Sequence, residues 1–103
     1  MPTETYSFKG QRFNCDRNKN LSNIEKHGIS FKAATLVFFD PHVATYDDEN
    51  HSYDEERFLA IGLSESLKLL TVCHCYREED TVVRIISARK ATKEEEKLYG
   101  GAF

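Results

Sequence analysis

Two arginines close a strand-like run, and arginine there asks for an explanation. Arg84-Ile85-Ile86-Ser87-Ala88-Arg89 follows Val82 and Val83, a β-branched stretch that reads as a strand buried on both faces. Charge in such a neighbourhood calls for a partner or a task. Arginine stays protonated, and its planar fork matches the oxygens of phosphate or carboxylate. Upstream, Glu56-Arg57 opens a second apolar run, Phe58-Leu59-Ala60-Ile61. Two strands with an Arg at one end suggest a sheet whose rim holds an anion.

Spacing sets conditions on this reading. Positions 84 and 89 are separated by an odd number, so a straight strand sends them to opposite faces. They share a site only if a bulge near Ser87-Ala88 re-aims one of them. Glu56 and Arg57, as neighbours, also diverge unless they precede the strand. A carboxylate can act as general base while a guanidinium steadies developing negative charge. The plainer alternative pairs Arg84 and Arg89 with carboxylates of the 47–56 loop. Lys26-His27-Gly28 supports two readings. It is a helix end with favourable cations and a glycine stop, or a proton donor (His27) beside a phosphate contact (Lys26). Cys73-His74-Cys75 is a poor metal site, since in a strand the two thiols and the imidazole point opposite ways.

The elements that must carry these side chains follow from pattern. A strand or small hairpin around Gly10 is expected over residues 6–14. Asp16 can cap a helix through Lys26, with Leu21, Ile24 and Asn20 turned inward. Ser30 starts a second helix through Phe38, ended by Asp40-Pro41. Strands are expected at 43–46, 57–63, 69–76 and 81–88, with short polar connections that favour an antiparallel meander. Thr92 and Glu95 form a capping box for a last helix to Tyr99. The fold class is α+β: an N-terminal strand, a two-helix hairpin, the meander, and a C-terminal helix.

The 103 residues suffice for one domain, with 1–11 and 100–103 expected to be peripheral. The net charge of −3 argues against a general nucleic-acid glue, but charge is uneven. Residues 40–56 carry seven acids and no Lys or Arg, whereas 81–93 carry four bases and no acid. A bound phosphate feels that near field. Three cysteines without a disulfide pattern fit a reducing cytosol. No signal peptide or membrane span is read, so the expected location is cytoplasmic.

The order of these pieces resembles the BrnT family, ribonuclease toxins of bacterial type II toxin–antitoxin systems. The matching stretches are Asn23 through Phe31, Phe38-Phe39-Asp40-Pro41, His51 through Gly62, Arg84 through Ala91, and Glu96 to Tyr99. Cys15-Asp16 stands where relatives often show Trp-Asp, and Arg17 where many have Pro. The resemblance implies a RelE-like fold and a small endoribonuclease that inhibits translation; with the cations read above, the expectation is metal-independent RNA cleavage with no cofactor. The resemblance also implies neutralisation by a cognate antitoxin, an RNA substrate, and operator DNA bound only through that antitoxin. Carried over residue by residue, it points to Lys26, Glu56, Arg57, Arg84 and Arg89, with His27 in support. A non-catalytic nucleic-acid or protein binding module is the alternative.

Overall fold

Lys9 and Gly10 both take positive φ (49° and 83°), the two-residue turn that matches strand twist, and they join β1 (Thr3–Phe8) to β2 (Gln11–Asp16). The computed structural model describes residues 2–51 and 55–99. Residues 3–8, expected to be peripheral, are an edge strand whose Tyr6 stacks on Phe13 and packs against the core. Residues 100–103 lie outside the described residues.

Asp16 ends β2 and caps α1 (Arg17–His27), accepting hydrogen bonds from the backbone N–H groups of Asn18 (2.8 Å) and Lys19 (3.2 Å). The left-handed Gly28 closes the helix. The expected inward face of α1 needs correction. Leu21 and Ile24 are 56% and 40% exposed, and Asn23 takes the buried position. Its amide donates to the carbonyls of Ala88 (2.8 Å) and Ile29 (2.9 Å) and accepts from the Ala88 N–H (3.0 Å). A polar clamp therefore holds α1 where an apolar stripe was expected. Asn20 does turn inward, accepting from the Phe31 N–H at 2.9 Å.

The second helix is shorter than its sequence suggests. One α turn, α2 (Phe31–Ala34), passes into a 3-10 segment over Thr35–Phe39. Thr35 bonds back to the Phe31 carbonyl at 3.0 Å, a contact that competes with regular helix.

The remaining strands are β3 (Ala44–Asp47), β4 (Phe58–Leu63), β5 (Leu69–Arg77) and β6 (Val82–Lys90), followed by α3 (Lys93–Leu98). They form the expected antiparallel meander, but the sheet does not stop there. Its order is β1-β2-β6-β5-β4-β3, because β2 joins β6 in parallel through Arg12↔Val82, Phe13↔Val83 and Asn14↔Arg84. Phe13, Val72, Val83, Ile85 and Ala88 face α2 and the 3-10 segment, where Phe31, Ala34 and Val37 complete the core.

One irregularity determines what the other face carries. Pairing runs Cys73↔Ser87 and then His74↔Ile85, so Ile86 is an extra residue in β6. This bulge shifts the alternation: Ala88 returns to the core, while Ser87 and Arg89 join Arg84 on the opposite face.

Candidate functional site

The face away from α1 and α2 gathers arginine. Arg84 pairs across the sheet with Cys75 on β5 and Asn14 on β2. Arg57 lies one residue before the Phe58↔His74 pair, in line with Cys75. Arg57 and Arg84 therefore flank β5 about 10 Å apart by strand spacing. Arg57's charge also favours ionisation of Cys73 and Glu55, as a nearby cation should. Arg89, opposite Thr71, lies about 13 Å further along β6.

Arginines on this face differ in what holds them. Arg84 is half-buried, and its Nη1 donates to Asn14 Oδ1 at 3.2 Å. Among the described residues it has no carboxylate partner. Arg89 forms a two-pronged pair with Glu95, at 2.7 Å and 2.9 Å. Glu95 also accepts from the Thr71 hydroxyl (2.9 Å) and the Thr92 N–H (2.9 Å). These donors, the Arg89 guanidinium first, overcome partial burial and hold the Glu95 carboxyl at about 2. At the rim, Arg77 pairs with Glu55, whose carboxyl that contact lowers.

The thiols on this face are inert. Burial first, then a hydrogen bond to Asp48 (3.5 Å) and its charge, push Cys73 up to about 12. Burial also raises Cys75, which accepts from Arg77 Nη1 at 2.8 Å. His74 points the other way, into Phe38, Phe58 and Tyr76.

The remaining sequence candidates lie elsewhere. Glu56 is exposed and lines a cleft of about 490 Å³ with Glu55, Phe58, Tyr76 and Asp80. Phe58 and Tyr76 contact His74 on the helical side, so Glu56 and Arg57 diverge as neighbours should. Lys26 and His27 do not join the arginines. Both are exposed in the last turn of α1, and His27 lines a 200 Å³ cavity with Ala33, Leu70 and Lys90 behind the sheet. The reason is topological: α1 packs across β6 on the core side, anchored by Asn23. Of the six sequence candidates, Arg57, Arg84 and Arg89 share one face, and Lys26, His27 and Glu56 lie away from it.

Sequence reasoning missed Asn14, Thr71 and Asp48. It found Glu95 only as a helix cap, and that signal was real. Thr92 Oγ1 and Glu95 do form the box, but the grip on Arg89 depends on strand register.

The fold and this face define a small mixed α+β domain, one six-stranded sheet with three helices, presenting guanidiniums on the side opposite α1 and α2. A similar fold is found elsewhere. The crystal structure of the Brucella abortus ribonuclease toxin, BrnT, superimposes with a TM-score of 0.58 at 22% identity, covering 77% of this chain and 94% of that one. At that identity the likeness is one of fold. No curated protein matches the chain. The family model described as "Ribonuclease toxin, BrnT, of type II toxin-antitoxin system" matches residues 15–95. This chain belongs to the BrnT family of ribonuclease toxins of type II toxin–antitoxin systems. Among the described residues no helix is long and apolar enough to cross a membrane.

Proposed function

We propose that this chain cleaves RNA through the ribose 2′-hydroxyl, with the scissile phosphate held between Arg57 and Arg84 and a neighbouring phosphate at Arg89. The supporting observation is the Ile86 bulge, which turns Arg84 and Arg89 to one face. Arg84 brings a charge that no carboxylate neutralises among the described residues, and only Nη1 is engaged, by Asn14. Two cations on the equatorial oxygens, each contributing roughly 3 kcal/mol, lower the barrier without a metal being required.

Glu56 lies with Phe58 and Tyr76 on the helical side of β4, away from a phosphate between Arg57 and Arg84, and in this reading the 2′-hydroxyl gives its proton to solvent. The attacking 2′-oxygen displaces the 5′-oxygen and leaves a cyclic phosphate, and the departing oxygen takes its proton from solvent. Lys26 and His27 have no part in bond breaking in this reading. The reading extends to a cytoplasmic toxin of RelE-like type that arrests translation and is neutralised by a cognate antitoxin. Operator DNA is bound by the antitoxin.

The test is cleavage of single-stranded RNA by purified protein in EDTA. Wild type should cut RNA and leave DNA intact, because DNA lacks the nucleophile. Arg84→Ala should lose about 100-fold in rate. Its affinity for a 2′-O-methyl oligonucleotide should fall much less. Loss of affinity in step with activity would instead favour a binding module, and loss of wild-type cleavage on chelation would refute the metal-free route.

A further inference from the structure

Arg89 is caught from one side only. Its Nη1 and Nη2 are the two prongs that meet Glu95, and Nη1 also reaches the Lys90 carbonyl at 3.4 Å. A guanidinium has five N–H bonds. Three are therefore engaged, and the two that remain, Nε–H and the second Nη2–H, lie together on the lateral edge. That edge is itself a two-pronged fork of the kind phosphate accepts. Glu95 in turn is fixed by groups outside Arg89: the hydroxyl of Thr71, which is 1% exposed, and the Thr92 N–H that belongs to the α3 cap. The carboxylate thus connects three elements, β5, β6 and α3, at the point where the guanidinium must be oriented. Tyr99, just past α3, donates to Asp40 Oδ2 at 2.5 Å and holds the other end of that helix.

We infer that Glu95 is a positioning residue: it locks Arg89 so that the guanidinium's lateral fork faces the phosphate next to the scissile one. The inference deepens the RNA-cleaving reading and rests on it. It also gives α3 a purpose beyond closing the sheet, since the helix carries the carboxylate that aims the arginine.

Electrostatics and positioning make opposite forecasts. Glu95 is a negative charge beside a site for a polyanion, so on charge alone its removal should tighten binding. Positioning demands that removal weaken it. The probes are 2′-O-methyl oligonucleotides with one and with two phosphates, binding the full chain. Glu95→Gln retains a side chain suited to the α3 cap. It should weaken the two-phosphate ligand about tenfold, as expected for loss of an ordered charge-assisted contact, and leave the one-phosphate ligand unchanged. Arg89→Lys keeps the charge but lacks the fork, and should weaken the same ligand similarly. In an Arg89→Ala background, Glu95→Gln should add nothing, because its action runs through Arg89.

Tighter binding by Glu95→Gln, or wild-type affinity of Arg89→Lys, would overturn the inference. Equal weakening of both ligands would also do so, as the mark of general damage. The cleavage reading fails separately, if wild type leaves RNA intact. Thr71→Val removes a Glu95 tether without touching charge and should weaken the two-phosphate ligand in the same direction. No change there would count against the locked geometry.

Discussion

Removing the amide of Asn23 should be among the most damaging single changes this chain can undergo. The residue is 6% exposed and Ala88 is fully buried. Asn23→Ala strips the N–H and C=O of Ala88 of the partners found at 3.0 Å and 2.8 Å, and the Ile29 carbonyl of one at 2.9 Å. A buried backbone group left without its hydrogen bond costs about 1–3 kcal/mol. Two such groups at Ala88 therefore give roughly 3 kcal/mol or more, a large share of the ~5–15 kcal/mol typical of a domain. With a urea m-value of about 1.5 kcal/mol/M, the midpoint should fall by roughly 2 M. Ser22→Ala, on the exposed side of the same helix, is the control and should move it little. Asn23→Asp should be no milder than Asn23→Ala, because it keeps the acceptor for the Ala88 N–H but turns the donor towards two carbonyls into another acceptor. Ala88 lies between Ser87 and Arg89, so the damage should extend to the arginine face. A midpoint shift below about 0.5 M for Asn23→Ala would refute the view that this clamp anchors α1.

Gly62 lies where the 3-10 segment meets β4. A Cβ there would sit 3.0 Å from both the Val37 Cγ1 and the Val37 carbonyl oxygen, and the backbone oxygen cannot yield cheaply. Gly62→Ala should therefore destabilise by about 1–3 kcal/mol, measured by denaturant unfolding. His74 should make stability fall in mild acid. Its Nδ1 lies 3.3 Å from the Val72 carbonyl, Nε2 has no hydrogen-bond partner among the described residues, and burial holds its pKa below 6.5. The unfolded chain takes up this proton first, so stability is full above about 6.5 and declines below it, by up to ~1.4 kcal/mol per pH unit until the lowered folded value is reached. Urea midpoints between pH 7.5 and 5.5 should show the decline, and His74→Phe should flatten it. Glu95 acts in a lower window. Its carboxyl, at about 2 in the folded chain against an ordinary 4.5, supports folding above 4.5 and ceases to do so as pH falls towards 2. Glu95→Gln should remove that segment of the acid-unfolding curve. Arg84→Ala should slow cleavage more than Arg89→Ala, because Arg84 lacks the carboxylate that offsets Arg89. The reverse order would place the scissile phosphate at Arg89.

Local chemistry made much of this molecule readable from its residues. The Asp16 cap, the Gly28 stop, the Thr92–Glu95 box and the four meander strands are short-range features, set within a few residues of one another. Reading failed where distant segments decide. Leu21 and Ile24 have helical spacing for burial, yet α1 turns on Asn23 because the Ala88 backbone and the Ile29 carbonyl together satisfy its amide three ways. Nothing near Asn23 in the chain announces Ala88, 65 positions away. The parallel seam between β2 and β6 was hidden for the same reason. The site shows both regimes. That Arg84 and Arg89 would need a bulge follows from counting; that the bulge is at Ile86 depends on pairing with β5.

The bulge also explains why the core and the arginine face are a single design problem. Without an extra residue, continued alternation from Ile85 would carry Arg89 into the layer where Phe31, Ala34 and Val37 pack, and would expel Ala88 from it. A charged group there, without its Glu95 partner, is far more costly than the loss of one alanine's contacts. The inserted position therefore does two things at once. It keeps an apolar set against the helices over the full length of β6, and it delivers every arginine of that strand to the other side. Arg57 and Arg84 then face each other across β5, with Asn14 steadying one of them, while Glu95 sets the angle of the third. Sheet register, more than any single residue, determines where a phosphate can be held.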